Sequence, residues 1–216
     1  DLRRSRGLGD VYKRQFHSSL DFLLHNPHDI KTNEDSPYTI YSFFYKKAKI
    51  FPTRNITKNT KKNYSNEIIS NSSIIKPKIM DSEIKGGRKE ALKILKNLKN
   101  FTDYDKVRDF PGLNQTTLLS AHYKFGTISI RETYAQIKEV LGINHTIMGE
   151  IYWREFFNYI LFHFPYVEKK SFKQKFQDIP WKNSEDSLRK WKEGQTGFPI
   201  VDAGMRQLNL TGFMHN

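Results

Sequence analysis

The sequence predicts a mostly α protein. Three observations point there. No alternating strand pattern occurs after residue 86, apolar residues there recur at helical spacing, and cap residues bracket those stretches. Twenty of the 30 aromatic residues, and all three Trp, lie in 101–216, so this half can bury a sizeable core.

The elements follow in order. Arg88–Asn100 places Ala91, Leu92, Leu95 and Leu98 on one stripe, with Lys on the other face. Ser129-Ile-Arg-Glu132 reads as a capping box, in which Ser129 accepts from the Glu132 backbone N–H. The helix it opens carries Tyr134, Ile137 and Leu141 inward. Ile147–Phe164 is apolar on nearly every face and predicts a central, buried helix. Asn183/Ser184, with Glu185 and Asp186 behind them, opens a helix that Gly194 stops. Pro199 fits the first turn of the last helix and Gly212 its end. Asp202 and Arg206, four apart on that helix, read as a structural pair.

The N-terminal half reads differently. Residues 1–15 fit nothing that follows and resemble a translated cloning adapter. In 16–50, Leu20–Leu24 reads as a short helix or strand end, and the aromatic, β-branched run Tyr38–Tyr45 reads as a strand. Together they suggest the end of a domain that begins elsewhere. Residues 51–85 form a linker: in 51–80 there are five Asn, four Ser and six Lys/Arg, but only two aromatics.

Zero Cys excludes disulfides, thiolate–zinc sites and a thiol nucleophile. No apolar run of 18 residues and no signal-peptide core occur, so a cytoplasmic protein is expected, and the seven Asn-x-Ser/Thr triplets are read as chance matches. The net charge of +13 suggests a polyanionic partner, yet 101–216 carries only +2 and 16–100 carries +8. A nucleic-acid surface and solvated linker Lys are both open readings.

Several residues suggest chemistry. Glu150, Arg154 and Glu155 sit within the apolar helix, where charges must be paired or line a cavity. Glu150, Trp153 and Phe157 share a face. A carboxylate beside an indole suits a flat heterocycle, and a structural Glu–Arg pair with Trp as filler is the other reading. Thr116, Thr117 and Ser120 cluster hydroxyls at a helix start, either as a phosphate cradle or as ordinary caps. Lys169, Lys170, Lys173 and Lys175, with Phe172 and Phe176 between them, form a basic cluster that suits a phosphate backbone or a solvated loop. His25 and His28 lack further metal ligands in the sequence, and no metal is expected.

One long string goes further. Trp191-Lys-Glu-Gly-Gln-Thr-Gly-Phe-Pro-Ile-Val-Asp-Ala-Gly-Met-Arg-Gln-Leu-Asn-Leu-Thr-Gly-Phe-Met-His-Asn216 closely resembles the flavin-binding domain of the DNA photolyase/cryptochrome family. Tyr104–Gly112, Thr116–Ser120, Phe125–Ser129 and Glu150–Phe156 match in the same order. The resemblance implies a helical FAD-binding domain over 86–216, incomplete here, preceded in 16–50 by the remnant of a Rossmann-like α/β domain. It places the FAD phosphate and ribitol contacts at Tyr104 and at Thr116, Thr117, Leu118, Leu119 and Ser120. It sets Glu150 and Trp153 against a flipped-out pyrimidine dimer, Arg108 and Arg154 near the damaged strand, and Asn216 at the flavin–substrate boundary. Trp181 matches the outermost Trp of the photoreducing electron chain. Phe213 stands where the family usually has Trp.

By the same resemblance the activity is that of a deoxyribodipyrimidine photolyase, most like class I: excited, reduced FAD passes an electron to a cyclobutane pyrimidine dimer in DNA, and the ring splits. A cryptochrome-type blue-light receptor is the alternative. The expected partner is UV-damaged DNA, bound by a monomer that associates with the nucleoid. An antenna chromophore, methenyltetrahydrofolate or a deazaflavin, is expected in the α/β domain. The family's next stretch, with further flavin contacts and the inner two Trp, follows the position of Asn216, so the chain reads as a fragment of a longer enzyme, inactive alone.

Overall fold

The computed structural model describes residues 21–57, 60 and 84–215. The adapter-like residues 1–15, most of the 51–85 linker and Asn216 lie outside the described residues. Those described form eight α-helices and four short 3-10 turns, and no strand occurs among them. The helices are α1 (Tyr41–Ile50), α2 (Arg88–Lys96), α3 (Tyr104–Val107), α4 (Leu119–Lys124), α5 (Ile130–Val140), α6 (Thr146–His163), α7 (Glu185–Glu193) and α8 (Pro199–Thr211).

α6 organises the core. Its 18 residues are capped at the start by His145, whose ring Nδ1 accepts the Ile147 N–H at 3.3 Å, and at the end by Phe164, ahead of Pro165. A residue before proline is pushed out of the α region, which sets that end. Met148, Ile151, Tyr152, Phe156 and Tyr159 point inward to meet Ala91, Leu95 and Leu98 from the α2 region and Ile130 and Ile137 from α5.

Two expectations change here. The Tyr38–Tyr45 run does not form a strand. From Tyr41 it is helical, because Phe44 and Ala48, four apart, fill one stripe against α6, and Tyr41 and Tyr45 stack at 5.6 Å on the adjoining stripe. Leu23 and Leu24 are buried in a bend, and Ile30 just after a turn, rather than in a helix or strand; Leu20 lies outside the described residues. Residues 21–51 therefore share the core of the later helices.

The capping box does not form either. Ser129 stands at the α5 N-cap in extended conformation, but its side chain caps nothing. Glu132 is held by Arg88 through two bonds of 2.9 and 3.0 Å. A bidentate guanidinium–carboxylate pair outcompetes a single carboxylate–amide contact. The α2 helix is also shorter than its stripe suggests: it ends at Lys96, is capped by Asn97 and gives way to a 3-10 turn that still buries Leu98.

α7 and α8 form a hairpin. Ser184 accepts the Ser187 N–H at 3.2 Å, and Gly194 closes α7 at φ +67°. Pro199 opens α8, and Gly212 ends it at φ +73°. Asp202 and Arg206 do not pair directly. Asp202 accepts the Thr196 N–H, the Thr196 hydroxyl and the Gly197 N–H at 2.6–2.9 Å, while Arg206 donates to the Gly194 carbonyl at 2.8 Å. Each side chain satisfies loop backbone that no helix serves, which is worth more than an exposed pair.

Candidate functional site

α6 is not buried all round. Trp153, Phe157 and Leu161 follow at four-residue spacing and are 39%, 63% and 50% exposed. The uncovered stripe lies beside α1 and α3.

Trp153 lies flat on Tyr41, with ring centroids 3.5 Å apart and planes 8° apart. Phe157 stacks on it from the next turn at 5.7 Å. Tyr41 is itself fixed: its hydroxyl donates to the Gly149 carbonyl at 3.0 Å. Burial, then the Tyr45 and Glu150 charges, push its phenol well above the usual range, so it stays neutral. The sequence reading missed Tyr41. Its signal was the aromatic run itself, read with the wrong period.

One turn before Trp153, Glu150 forms an ion pair with Arg108 Nη1. Both side chains are about one-third exposed. Arg108 also reaches Asp109 at 3.4 Å and lies 5.9 Å over the Tyr104 ring. Burial works against the Arg108 cation, but the Glu150 carboxylate more than offsets it and raises its pKa. Burial, aided by Glu150, also raises the half-buried Tyr104 phenol. The result is a carboxylate, a guanidinium and a partly exposed indole on one surface, a set that can accept a heterocycle's N–H, meet an anion and make aromatic contact with a ring.

The other candidates are dispersed. Arg154 donates to the Phe22 carbonyl at 2.8 Å and lies 5.9 Å from the Tyr123 ring centre, and burial lowers its pKa. Glu155, 3% exposed, accepts the Leu24 and His25 N–H groups at 3.0 and 2.9 Å. Burial outweighs those bonds and raises its pKa to about 7. Trp181 is 71% exposed in an irregular segment, where its backbone N–H donates to the Ile179 carbonyl at 2.9 Å. The Lys169–Lys175 cluster lies on an exposed loop that Ser171 and Tyr166 close on themselves, with Lys175 over the Phe176 ring.

The Thr116–Ser120 segment is a turn entering α4. Thr117 Oγ1 accepts the Leu119 N–H at 3.5 Å, and Leu118 adopts φ +53°. Among the described residues the Thr116 and Ser120 hydroxyls have no protein partner, and a helix's opening amides have none within the helix. This donor set fits the diphosphate of a dinucleotide such as FAD. Leu119 is core, and Leu118 lines an open cavity of about 370 Å³ with Phe101 and His122.

The C-terminal third, residues 147–216, matches the family described as the FAD binding domain of DNA photolyase. A deoxyribodipyrimidine photo-lyase from Synechococcus is 32% identical over 91% of the chain and 46% of its own length. A bacterial class III photolyase from Agrobacterium tumefaciens superposes with TM-score 0.69 at 31% identity, over 91% of this chain and 45% of that one. A Synechocystis cryptochrome superposes with TM-score 0.62 at 22% identity, over 91% of this chain and 45% of that one, a likeness of fold. The chain spans about half the length of the curated relatives it matches. Among the described residues no helix is long and apolar enough to cross a membrane.

Proposed function

Because the chain belongs to the DNA photolyase family, we propose that it serves in a deoxyribodipyrimidine photolyase and that its Glu150–Trp153 surface receives a pyrimidine dimer flipped out of DNA. The observation that carries this reading is Trp153. It stays 39% exposed beside Glu150 instead of filling the core. Damaged bases stack and pair poorly, so flipping them costs less than flipping normal ones.

In this reading Glu150 accepts N–H groups from the dimer and steadies the charge that develops on it. Arg108 leaves Glu150 for a strand phosphate, and Arg154 braces the helix from below through Phe22. Trp153, held by Tyr41 stacked on its ring, presents the part of its indole that stays exposed. Bound FAD would supply the light-driven electron. Tyr104, Thr116, Thr117, Ser120 and Asn216 would hold it, with Leu118 and Leu119 shaping the turn. Trp181, at the surface, suits the entry of an electron from outside. An antenna chromophore belongs to the same reading, and none of the described residues is assigned to it.

The test is binding. A labelled oligonucleotide containing one thymine dimer should bind more tightly than its undamaged twin. Trp153→Ala and Glu150→Ala should each cut that preference at least tenfold, about 1.4 kcal/mol. Equal affinity for both oligonucleotides in the unaltered chain would remove the reading. In the full-length protein that contains this chain, illumination with reduced FAD then separates repair from signalling: recovery of thymine absorbance marks a photolyase, and its absence despite FAD binding marks a cryptochrome-type receptor.

A further inference from the structure

Residues 21–30 form neither helix nor strand, yet Leu23, Leu24, His25 and Ile30 are buried. Buried backbone without a ladder needs other partners. α6 supplies several of them. Arg154 donates to the Phe22 carbonyl at 2.8 Å, Glu155 accepts the Leu24 and His25 N–H groups, and the Tyr159 hydroxyl donates to the Ile30 carbonyl at 2.6 Å. His163 Nε2 stands 3.0 Å from the Pro27 carbonyl. The segment is a strap laid on α6 and fastened by its side chains.

The strap also holds α1 at both ends. Ahead of α1, the Tyr159 hydroxyl accepts the Tyr38 N–H at 3.0 Å while it donates to Ile30. Past its end, the Arg54 N–H donates to the Leu24 carbonyl at 3.2 Å, and Arg54 Nη2 donates to the Leu23 carbonyl at 2.6 Å. His25 Nδ1 lies 3.3 Å from the Pro52 carbonyl. α1 in turn carries Tyr41, on which Trp153 lies.

His25 is the fastening that a proton can undo. A carbonyl only accepts, so in the neutral ring Nδ1 carries the hydrogen and Nε2 is a lone pair. Nε2 is buried with no partner among the described residues. The ring packs on aromatic surface: Tyr152 stacks on it at 6.1 Å, and Phe51 meets it edge-on at 6.0 Å. The Tyr152 hydroxyl is buried without a partner too, so it does not serve Nε2. A charged N–H without an acceptor costs far more there than a neutral lone pair. Burial lowers the His25 pKa; the Pro52 bond and Asp29 oppose this, Arg54 adds to it, and the lowering prevails. Glu155 bonds the His25 main chain rather than its ring.

We propose that residues 21–30 form a proton-operated strap: protonation of His25 releases the strap from α6, and with it the ends of α1 and the Tyr41 support of Trp153. A lowered folded-state pKa means that the fastened form binds the proton less tightly than the open one. The strap is secured above the free-histidine value of 6.5 and loosens as pH falls below it. The strap does not rest on the photolyase reading; only its effect on a substrate at Trp153 does.

The test is amide hydrogen exchange of the 216-residue chain at pH 7 and pH 5, expressed as protection relative to the unfolded chain. Glu155, whose folded-state pKa burial raises, acts in the opposite sense. The unaltered chain is therefore compared with His25→Gln, which keeps a donor for the Pro52 carbonyl and takes up no proton. Protection of the Leu24 and α1 amides, taken as the ratio of the unaltered chain to the variant, should fall about tenfold or more over that step. An unchanged ratio overturns the proposal. A fall confined to residues 22–25 overturns the link to α1 and Trp153. Should His25→Gln fail to fold, the His25 ring signal is followed against pH by NMR in the unaltered chain. A midpoint below 6.5, shared by the loss of α1 protection, is expected, and one at or above 6.5 overturns the strap.

Discussion

The Tyr41 ring lies 3.5 Å from the Trp153 ring and parallel to it within 8°, so a residue of α1 sets the orientation of the exposed indole on α6. The contact joins positions 112 residues apart. It ties residues 21–51, which reach the core through Leu24, Ile30 and Phe44, directly to the candidate site.

Tyr41→Ala should therefore release Trp153. We expect a loss of about 1–2 kcal/mol in urea denaturation, as for an aromatic pair with partial burial. The tryptophan emission should shift to the red. Tyr41→Phe keeps the stack and loses only the bond to Gly149 O, so it should cost about 1 kcal/mol or less and leave the emission in place. A red shift in both variants would show that the hydroxyl, not the ring, holds Trp153.

Glu150→Ala should affect the substrate more than the cofactor. Its carboxylate meets Arg108, while the Thr116–Ser120 hydroxyls lie on a different element. Flavin fluorescence quenching should report an FAD affinity changed less than twofold, with dimer preference reduced at least tenfold. Parallel losses of both would assign Glu150 to the fold or to the flavin.

Glu155 makes stability depend on pH. Burial raises its pKa from 4.5 to about 7 in the folded chain. A raised folded-state pKa means that the folded form binds the proton more tightly. The contribution is full below about pH 4.5 and is lost as pH rises through 7, amounting to about 3 kcal/mol. Nearby His25, whose pKa burial lowers, acts in the opposite sense. It is common to the unaltered chain and to Glu155→Gln, so it largely cancels in their difference. The stability advantage of the unaltered chain over Glu155→Gln should shrink between pH 5 and pH 8 in denaturant titrations. A constant difference would mean that Glu155 does not titrate in that range.

Gly194→Ala should loosen the α7–α8 hairpin. The glycine sits at φ +67°, and an added Cβ would lie 2.7 Å from the Asp202 carbonyl oxygen. Strain in the left-handed region and the backbone clash together should cost about 2 kcal/mol or more. Thermal unfolding checks it. An unchanged midpoint would show that the hairpin unfolds independently of the main transition.

Legibility differed by element. The helices after residue 86 were readable because apolar spacing and caps agreed: Ser184, Gly194, Pro199 and Gly212 all stand at the helix ends expected of them. In α1 the aromatic, β-branched content points to a strand, whereas the four-residue spacing of Phe44 and Ala48 against α6 decides for a helix. The capping box failed because Arg88, 44 positions away, claimed Glu132. No local rule anticipates such a competitor. Within the candidate site, Glu150, Trp153 and Phe157 were legible as one helical face, whereas Arg108 as the partner of Glu150 and Tyr41 as the support of Trp153 were not.

By itself the sequence determined the helical class, the helix ends from Ser184 onward and the motifs that carry the family resemblance. These rest on interactions within a few residues, where spacing is geometry. Only the tertiary structure decided which charge meets which, that α6 leaves one aromatic stripe uncovered, and that its side chains fasten residues 22–30. Those outcomes depend on distances between segments far apart in the chain, set by how the helices pack against α6.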